Sequence, residues 1–96
     1  MALTKVLAGE GAAHGILVNA LHVGLIESDQ WVRRHSQQQT NRSYDDFLAE
    51  MGKGIPMGRV GTAEEFANVA CFLASDAAGY VTGTAINVDG NLSPVV

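Results

Sequence analysis

Three histidines, one cysteine and two close acidic residues are where metal, thiol or proton-transfer chemistry would have to be built in this chain. His14, His22 and His35 lack the short spacing to other His, Cys or carboxylate ligands that a metal site requires, and are read as surface or loop residues. Cys71, lying between Ala70 and Phe72 in an apolar helical stretch, has no second cysteine to pair with. It is read as a small core residue in a reducing setting. Glu27 and Asp29 stand two positions apart and diverge on a helix, so they do not form an acid–base pair. What remains is a loop. Residues 22 to 28, with Gly24 among them, follow an apolar run, and in open parallel sheets ligands bind beyond the carboxyl ends of the strands, where such a loop lies. On spacing alone Gly24 reads equally well as an ordinary turn glycine.

The elements that must position this loop follow from periodicity. Leu3, Val6 and Leu7 recur at helical spacing from Ala2 to about Ala13, and Gly15 ends the pattern. Ile16-Leu17-Val18-Asn19-Ala20-Leu21 has no polar alternation and predicts a strand covered on both faces in a parallel sheet. Asn19 is read as a strand residue whose amide is satisfied locally. A helix is expected from Asp29 to about Gln39, capped by Ser28 or Asp29. A second, capped by Ser43, would carry Tyr44, Phe47, Leu48 and Met51 on one apolar face before Gly52, Gly54 and Pro56 stop it. Thr62-Ala63-Glu64-Glu65 has the pattern of a capping box and opens a helix whose apolar face is Phe66, Val69, Ala70 and Leu73, ending near Ser75-Asp76. Thr84 to Val88 predicts a strand stopped by Asp89-Gly90. Strand, helices, strand is a crossover between parallel strands, so the class is α/β. Two strands alone leave an unpaired edge and an uncovered face.

Composition narrows the function classes. The 96 residues are 47% hydrophobic and 17% charged, which is globular rather than disordered. A net charge of −4 gives no footprint for nucleic acid or an anionic membrane surface, and the basic cluster Arg33-Arg34-His35 is read as a solvated helix face. No apolar run approaches the ~20 residues needed to span a bilayer, and the N-terminus has no signal-peptide pattern. A soluble, cytoplasmic protein is expected.

Gly15-Ile16-Leu17-Val18-Asn19-Ala20 followed by Val23-Gly24-Leu25-Ile26-Glu27-Ser28 resembles the sixth strand and following loop of short-chain dehydrogenases/reductases. Ile55-Pro56-Met57-Gly58-Arg59-Val60-Gly61-Thr62, Phe72-Leu73-Ala74-Ser75-Asp76, Gly79-Tyr80-Val81-Thr82-Gly83 and Val88-Asp89-Gly90 are similar to that family's closing helix and strand, in unbroken order. The likeness covers nearly the whole chain. It departs from the family at Val23, where proline is usual, and at Asn91, where a second glycine often follows Asp-Gly. The resemblance implies that residues 1 to 96 are the C-terminal segment of one Rossmann-like doubly wound domain, with 27–54 as a helical substrate flap and 62–88 as the closing helix and last strand. It implies NAD or NADP as cofactor, bound by Val23, Gly24, Leu25, Ile26 and Ser28. Gly24 would allow close approach to the nicotinamide, Ile26 would offer main-chain atoms to its carboxamide, and Ser28 would donate to the carboxamide or pyrophosphate. Trp31 and Met51 read equally as lining of a substrate pocket or as core filling.

The family's chemistry requires a tyrosine that exchanges a proton with the substrate oxygen, a lysine that lowers its pKa and a serine that orients the carbonyl. Tyr44 and Tyr80 are not followed four residues later by lysine, and no glycine-rich phosphate loop is present, so no catalytic residue is assigned. The resemblance places the start of the chain just past the active-site tyrosine and lysine. The expectation is therefore part of an NAD(P)-dependent oxidoreductase acting on a small carbonyl or alcohol, inactive by itself and associating with the rest of the enzyme or with copies of itself. A non-catalytic assembly module derived from the same fold is the alternative.

Overall fold

Helix α1 (Ala2–Ala12) ends as the glycine pattern requires. Gly15 adopts φ 72°, and the amides of Gly15 and Ile16 reach back to the carbonyls of Ala12 and Gly11 at 3.2 and 3.0 Å. That pair of bonds occupies two of the carbonyls the helix leaves free at its end and turns the chain out of the helix. The computed structural model describes residues 2–38 and 42–94.

Strand β1 (Ala20–Val23) pairs in parallel with β2 (Ala85–Val88), in the register Ala20 with Ala85 through Val23 with Val88. The crossover contains α2 (Asp29–Gln37), α3 (Tyr44–Gly52), α4 (Ala63–Leu73) and a single 3₁₀ turn at Asp76–Ala78. The expected end of α2 near Gln39 falls outside the described residues.

The first strand begins four residues later than its apolar run suggests. Residues 16–19 lie outside the ladder and are held by the segment that precedes β2: Gly83 N–H donates to Val18 C=O at 2.7 Å, and Val18 N–H to Thr82 Oγ1 at 3.0 Å. Asn19 completes this splice. Its Nδ2 donates to Val81 C=O at 3.0 Å, and its Oδ1 accepts from Thr84 N–H and Thr84 Oγ1 at 3.1 and 2.7 Å. The amide is satisfied, as expected, but by residues more than sixty positions along the chain.

Caps set the helix starts. Ser43 Oγ accepts from Asp46 N–H at 3.1 Å, and Asp45 and Asp46 place negative charge at the positive end of the α3 dipole. Thr62 and Glu65 form the reciprocal capping box of α4, at 3.1 and 3.0 Å. Ser28 stands in extended conformation ahead of α2 without a side-chain cap bond.

Burial is sparse. Ala8, Phe47, Ile55, Val60 and Ala78 are the buried apolar residues described, and no residue of α4 is buried. Phe66, Val69, Ala70 and Leu73 form the half-covered face of α4, as the periodicity predicts. Cys71 is exposed, which corrects its reading as a core residue. Each helical step turns about 100°, and the step from Ala70 to Cys71 leaves the covered face. A radius of gyration of 16.9 Å exceeds the ~13 Å of a compact domain of about this length. Layers that would cover the sheet and α4 are not supplied by these residues, which is how two strands with open faces were expected to look.

Candidate functional site at the strand ends

Both strands point their carboxyl ends at one crevice. Beyond β1 the chain passes through Gly24 to Ile26, where it forms a parallel bridge with Gly61. Glu27 N–H donates to Gly61 C=O at 2.9 Å, and Gly61 N–H to Leu25 C=O at 3.0 Å. The loop is thereby pinned to the segment that opens α4. In a parallel bridge the flanking residues make the bonds, so the N–H and C=O of Ile26 itself point away from Gly61. Neither is hydrogen-bonded to another described residue.

Gly24 has a packing reason to be glycine. Its amide donates to Val88 C=O at 3.0 Å, and a Cβ there would lie 2.5 Å from Asp89 Cβ and 2.6 Å from Asp89 Cα. The close approach in this structure is thus to the exit of β2. Asp89 in turn accepts from the amides of Asn91 and Ser93, both at 3.0 Å. Asn91 adopts φ 71°, which explains how it can stand where glycine is usual: asparagine is among the residues that best tolerate the left-handed region.

An open pocket of about 240 Å³ is lined by Leu25, Ile26, Met57, Arg59, Gly61, Glu65, Asn87, Val88, Asp89 and Gly90. Arg59 and Glu65 face each other in a two-pronged pair, Nη1 to Oε1 and Nη2 to Oε2, both at 2.8 Å. The guanidinium, followed by the Thr62 amide, pulls the Glu65 carboxyl down to about 2. Glu65 raises the pKa of Arg59 in return. With this pair mutually neutralised and Asp89 engaged by amides, the strand ends offer main-chain polar atoms more than free charge.

The residues singled out from the sequence are distributed as follows. Leu25 and Ile26 line the pocket; Val23 and Gly24 lie directly before it; Ser28 is exposed at the start of α2 with its hydroxyl uncommitted to a cap. Trp31 and Met51 are half-buried and are not part of the pocket wall. Trp31 instead sets its edge on the Phe47 ring, with centroids 6.2 Å apart. Around Phe47 gather Tyr44 and His35, at 6.1 and 5.6 Å. His35 is therefore half-buried in an aromatic cluster and not a simple surface residue, and its Nε2 lies 2.6 Å from Arg42 C=O. Tyr44 Oη donates to Glu27 Oε1 at 3.0 Å, and partial burial, then that bond, raises the tyrosine pKa. Among the described residues no three His, Cys, Asp or Glu side chains gather to hold a metal, and no helix is long and apolar enough to cross a membrane. Sequence reasoning missed the Arg59–Glu65 pair and the role of Asp89. Their only signal was membership in the quoted motifs, because a six-residue separation across a loop is not a helical contact spacing.

The family model described as Enoyl-(Acyl carrier protein) reductase matches residues 1–93. The chain belongs to the short-chain dehydrogenase/reductase family. A 3-oxoacyl-[acyl-carrier-protein] reductase FabG of Chlamydia pneumoniae is 44% identical over 97% of this chain and 34% of its own length. The protein of the same name from Escherichia coli (strain K12) is 40% identical over 93% of this chain and 33% of its own. A short-chain oxidoreductase from Pseudomonas aeruginosa PAO1, whose structure is described as containing an atypical catalytic center, superposes with a TM-score of 0.89 at 37% identity, covering 99% of this chain and 37% of that one. L-sorbose reductase from Gluconobacter frateurii, solved with NADPH and L-sorbose, gives 0.84 at 28% identity over 99% of this chain and 37% of that one. This short-chain dehydrogenase/reductase chain therefore spans about a third of the length of the curated relatives it matches. Its α/β architecture corresponds to the Rossmann-like sheet of these structures, of which the described residues hold two strands.

Proposed function

We propose that these residues form the nicotinamide-side part of an NAD(P)-dependent oxidoreductase that interconverts a carbonyl and an alcohol, and that they do not catalyse the reaction by themselves. The observation that carries this reading is Ile26. Its N–H and C=O, paired with no other described residue at the carboxyl end of a parallel strand, match the acceptor and donor of a carboxamide. Ser28, with its hydroxyl uncommitted, would add a donor beside it, while Val23, Gly24 and Leu25 hold the loop in position. The bound nicotinamide supplies the hydride chemistry; this chain binds and orients it. The solved NADPH complexes among the structural relatives support this choice of cofactor.

Residues 27–54 act as the flap over the substrate, with Trp31 and Met51 bordering it from the half-buried side of the two helices. Residues 62–88 close the sheet and carry contacts between subunits, which would cover the open face of α4. The names of the relatives make a 3-oxoacyl group on acyl carrier protein the first substrate to try, and a cytoplasmic setting accords with an uncommitted thiol at Cys71.

Intact mass and cofactor titration on the protein from its native source test the reading together. A mass two to three times the 10.1 kDa of these residues, with saturable NADPH or NADH binding, is expected. A 10.1 kDa protein that binds neither would overturn it and favour an assembly module derived from this fold.

A further inference from the structure

The α2–α3 hairpin is joined to the strand-end loop by a bond between two side chains. Tyr44, the first residue of α3, donates its hydroxyl to Glu27 Oε1 at 3.0 Å. Glu27 is the residue whose backbone amide is fixed on Gly61, and it directly follows Ile26. The other end of Tyr44 is equally committed: its ring stacks on Phe47, centroids 6.1 Å apart and planes 26° from parallel, and Phe47 is the buried centre on which Trp31 and His35 also rest. One side chain thus bridges the hydrophobic centre of the hairpin and the pinned loop. A hydrogen bond to an ionised carboxylate is among the stronger single contacts, and this one is partly screened from solvent. The raised pKa of Tyr44 keeps its proton on the phenol across the ordinary pH range, so the donor persists.

We propose that Tyr44 is a positioning residue, a latch whose hydroxyl on Glu27 holds the α2–α3 hairpin down on the strand-end loop, so that hairpin closure and the presentation of the Ile26 main chain are coupled. The effect on cofactor rests on the nicotinamide reading of Ile26; the latch itself does not.

Two substitutions in the full-length protein separate the possibilities. Tyr44→Phe keeps the ring stack and removes the donor, whereas Glu27→Gln keeps an acceptor oxygen and serves as the conservative control. Amide hydrogen exchange is expected to speed up on the order of tenfold across 29–38, 42–52 and at the bonded Glu27 amide in Tyr44→Phe, while 63–73 stays unchanged and Glu27→Gln, which keeps the acceptor but not its charge, shows a smaller acceleration. The NADPH dissociation constant should rise by a similar factor in Tyr44→Phe and by less in Glu27→Gln. Exchange in Tyr44→Phe equal to wild type overturns the latch whatever NADPH does. Accelerated exchange in a wild-type background that binds neither NADPH nor NADH sustains the latch and overturns the nicotinamide reading.

Discussion

The α2–α3 hairpin and the strand pair with its closing helix α4 are held in opposite ways. The strand pair is fixed by directional hydrogen bonds, most of them main-chain: a four-residue parallel ladder, the Gly61 bridge to Leu25 and Glu27, and the Asn19 side chain spliced onto Val81 and Thr84. The hairpin is fixed by rings, with Trp31, His35 and Tyr44 around Phe47, and by the Tyr44–Glu27 bond. Main-chain ladders constrain position to fractions of an ångström and suit a rigid binding edge. Ring contacts tolerate sliding and suit a part that opens and closes.

The largest expected effect tests the ring side of that contrast. Phe47→Ala empties the buried centre of the hairpin and should cost about 3 kcal/mol there. Hydrogen exchange would show it as opening of 29–38 and 42–52 with the β1–β2 amides still protected. Simultaneous loss of strand protection would mean that the two regions form one cooperative unit.

Asn19→Ala attacks the other side. It leaves the Thr84 amide and the Val81 carbonyl without their partner, an expected loss of about 2 kcal/mol in chemical denaturation, with strand protection falling first. A hairpin that loosened before the strands would contradict the contrast. Thr62→Ala removes the side-chain half of the α4 capping box and should cost about 1 kcal/mol by the same measurement, confined to residues 62–73.

The smallest effect sharpens the comparison through pH. The Glu65 carboxyl is lowered from 4.5 to about 2, so the stability it contributes is fully present above about 4.5 and disappears as the pH falls through about 2. Melting temperature against pH should therefore show wild type and Glu65→Gln converging over that interval, with the hairpin contributing nothing to the difference. Curves that stay parallel down to pH 2 would show that the Arg59–Glu65 pair adds no stability of its own.

How much of this was readable in the chain follows the distance over which each contact acts. The capping box at Thr62, the Ser43 cap, the Gly15 stop and the face Phe66, Val69, Ala70 and Leu73 all lie within one or two turns, so residue type and spacing announce them. The family's motifs made Leu25 and Ile26 legible as a strand-end loop for the same reason. The start of β1 was misplaced because an apolar run shows what can be buried, not which four residues meet a partner: β2 begins only at Ala85, and the preceding turn takes the bonds of Val18 and Asn19. Cys71 illustrates the same gap within a helix, since its apolar neighbours in sequence are not its neighbours on the covered face.

By itself, then, the sequence determined the local grammar of this protein: the helices, the Ser43 and Thr62 caps, the Gly15 stop, the α/β class, and the loop that follows the first strand. Only the tertiary structure decided that Gly24 must be glycine because Asp89 lies against it, that Arg59 belongs to Glu65, that Tyr44 reaches Glu27, and that Asn19 closes a splice across the chain. These contacts join segments whose separation along the chain carries no periodic signal. Their geometry exists only after the backbone has brought the segments together, so no rule of spacing can state them in advance.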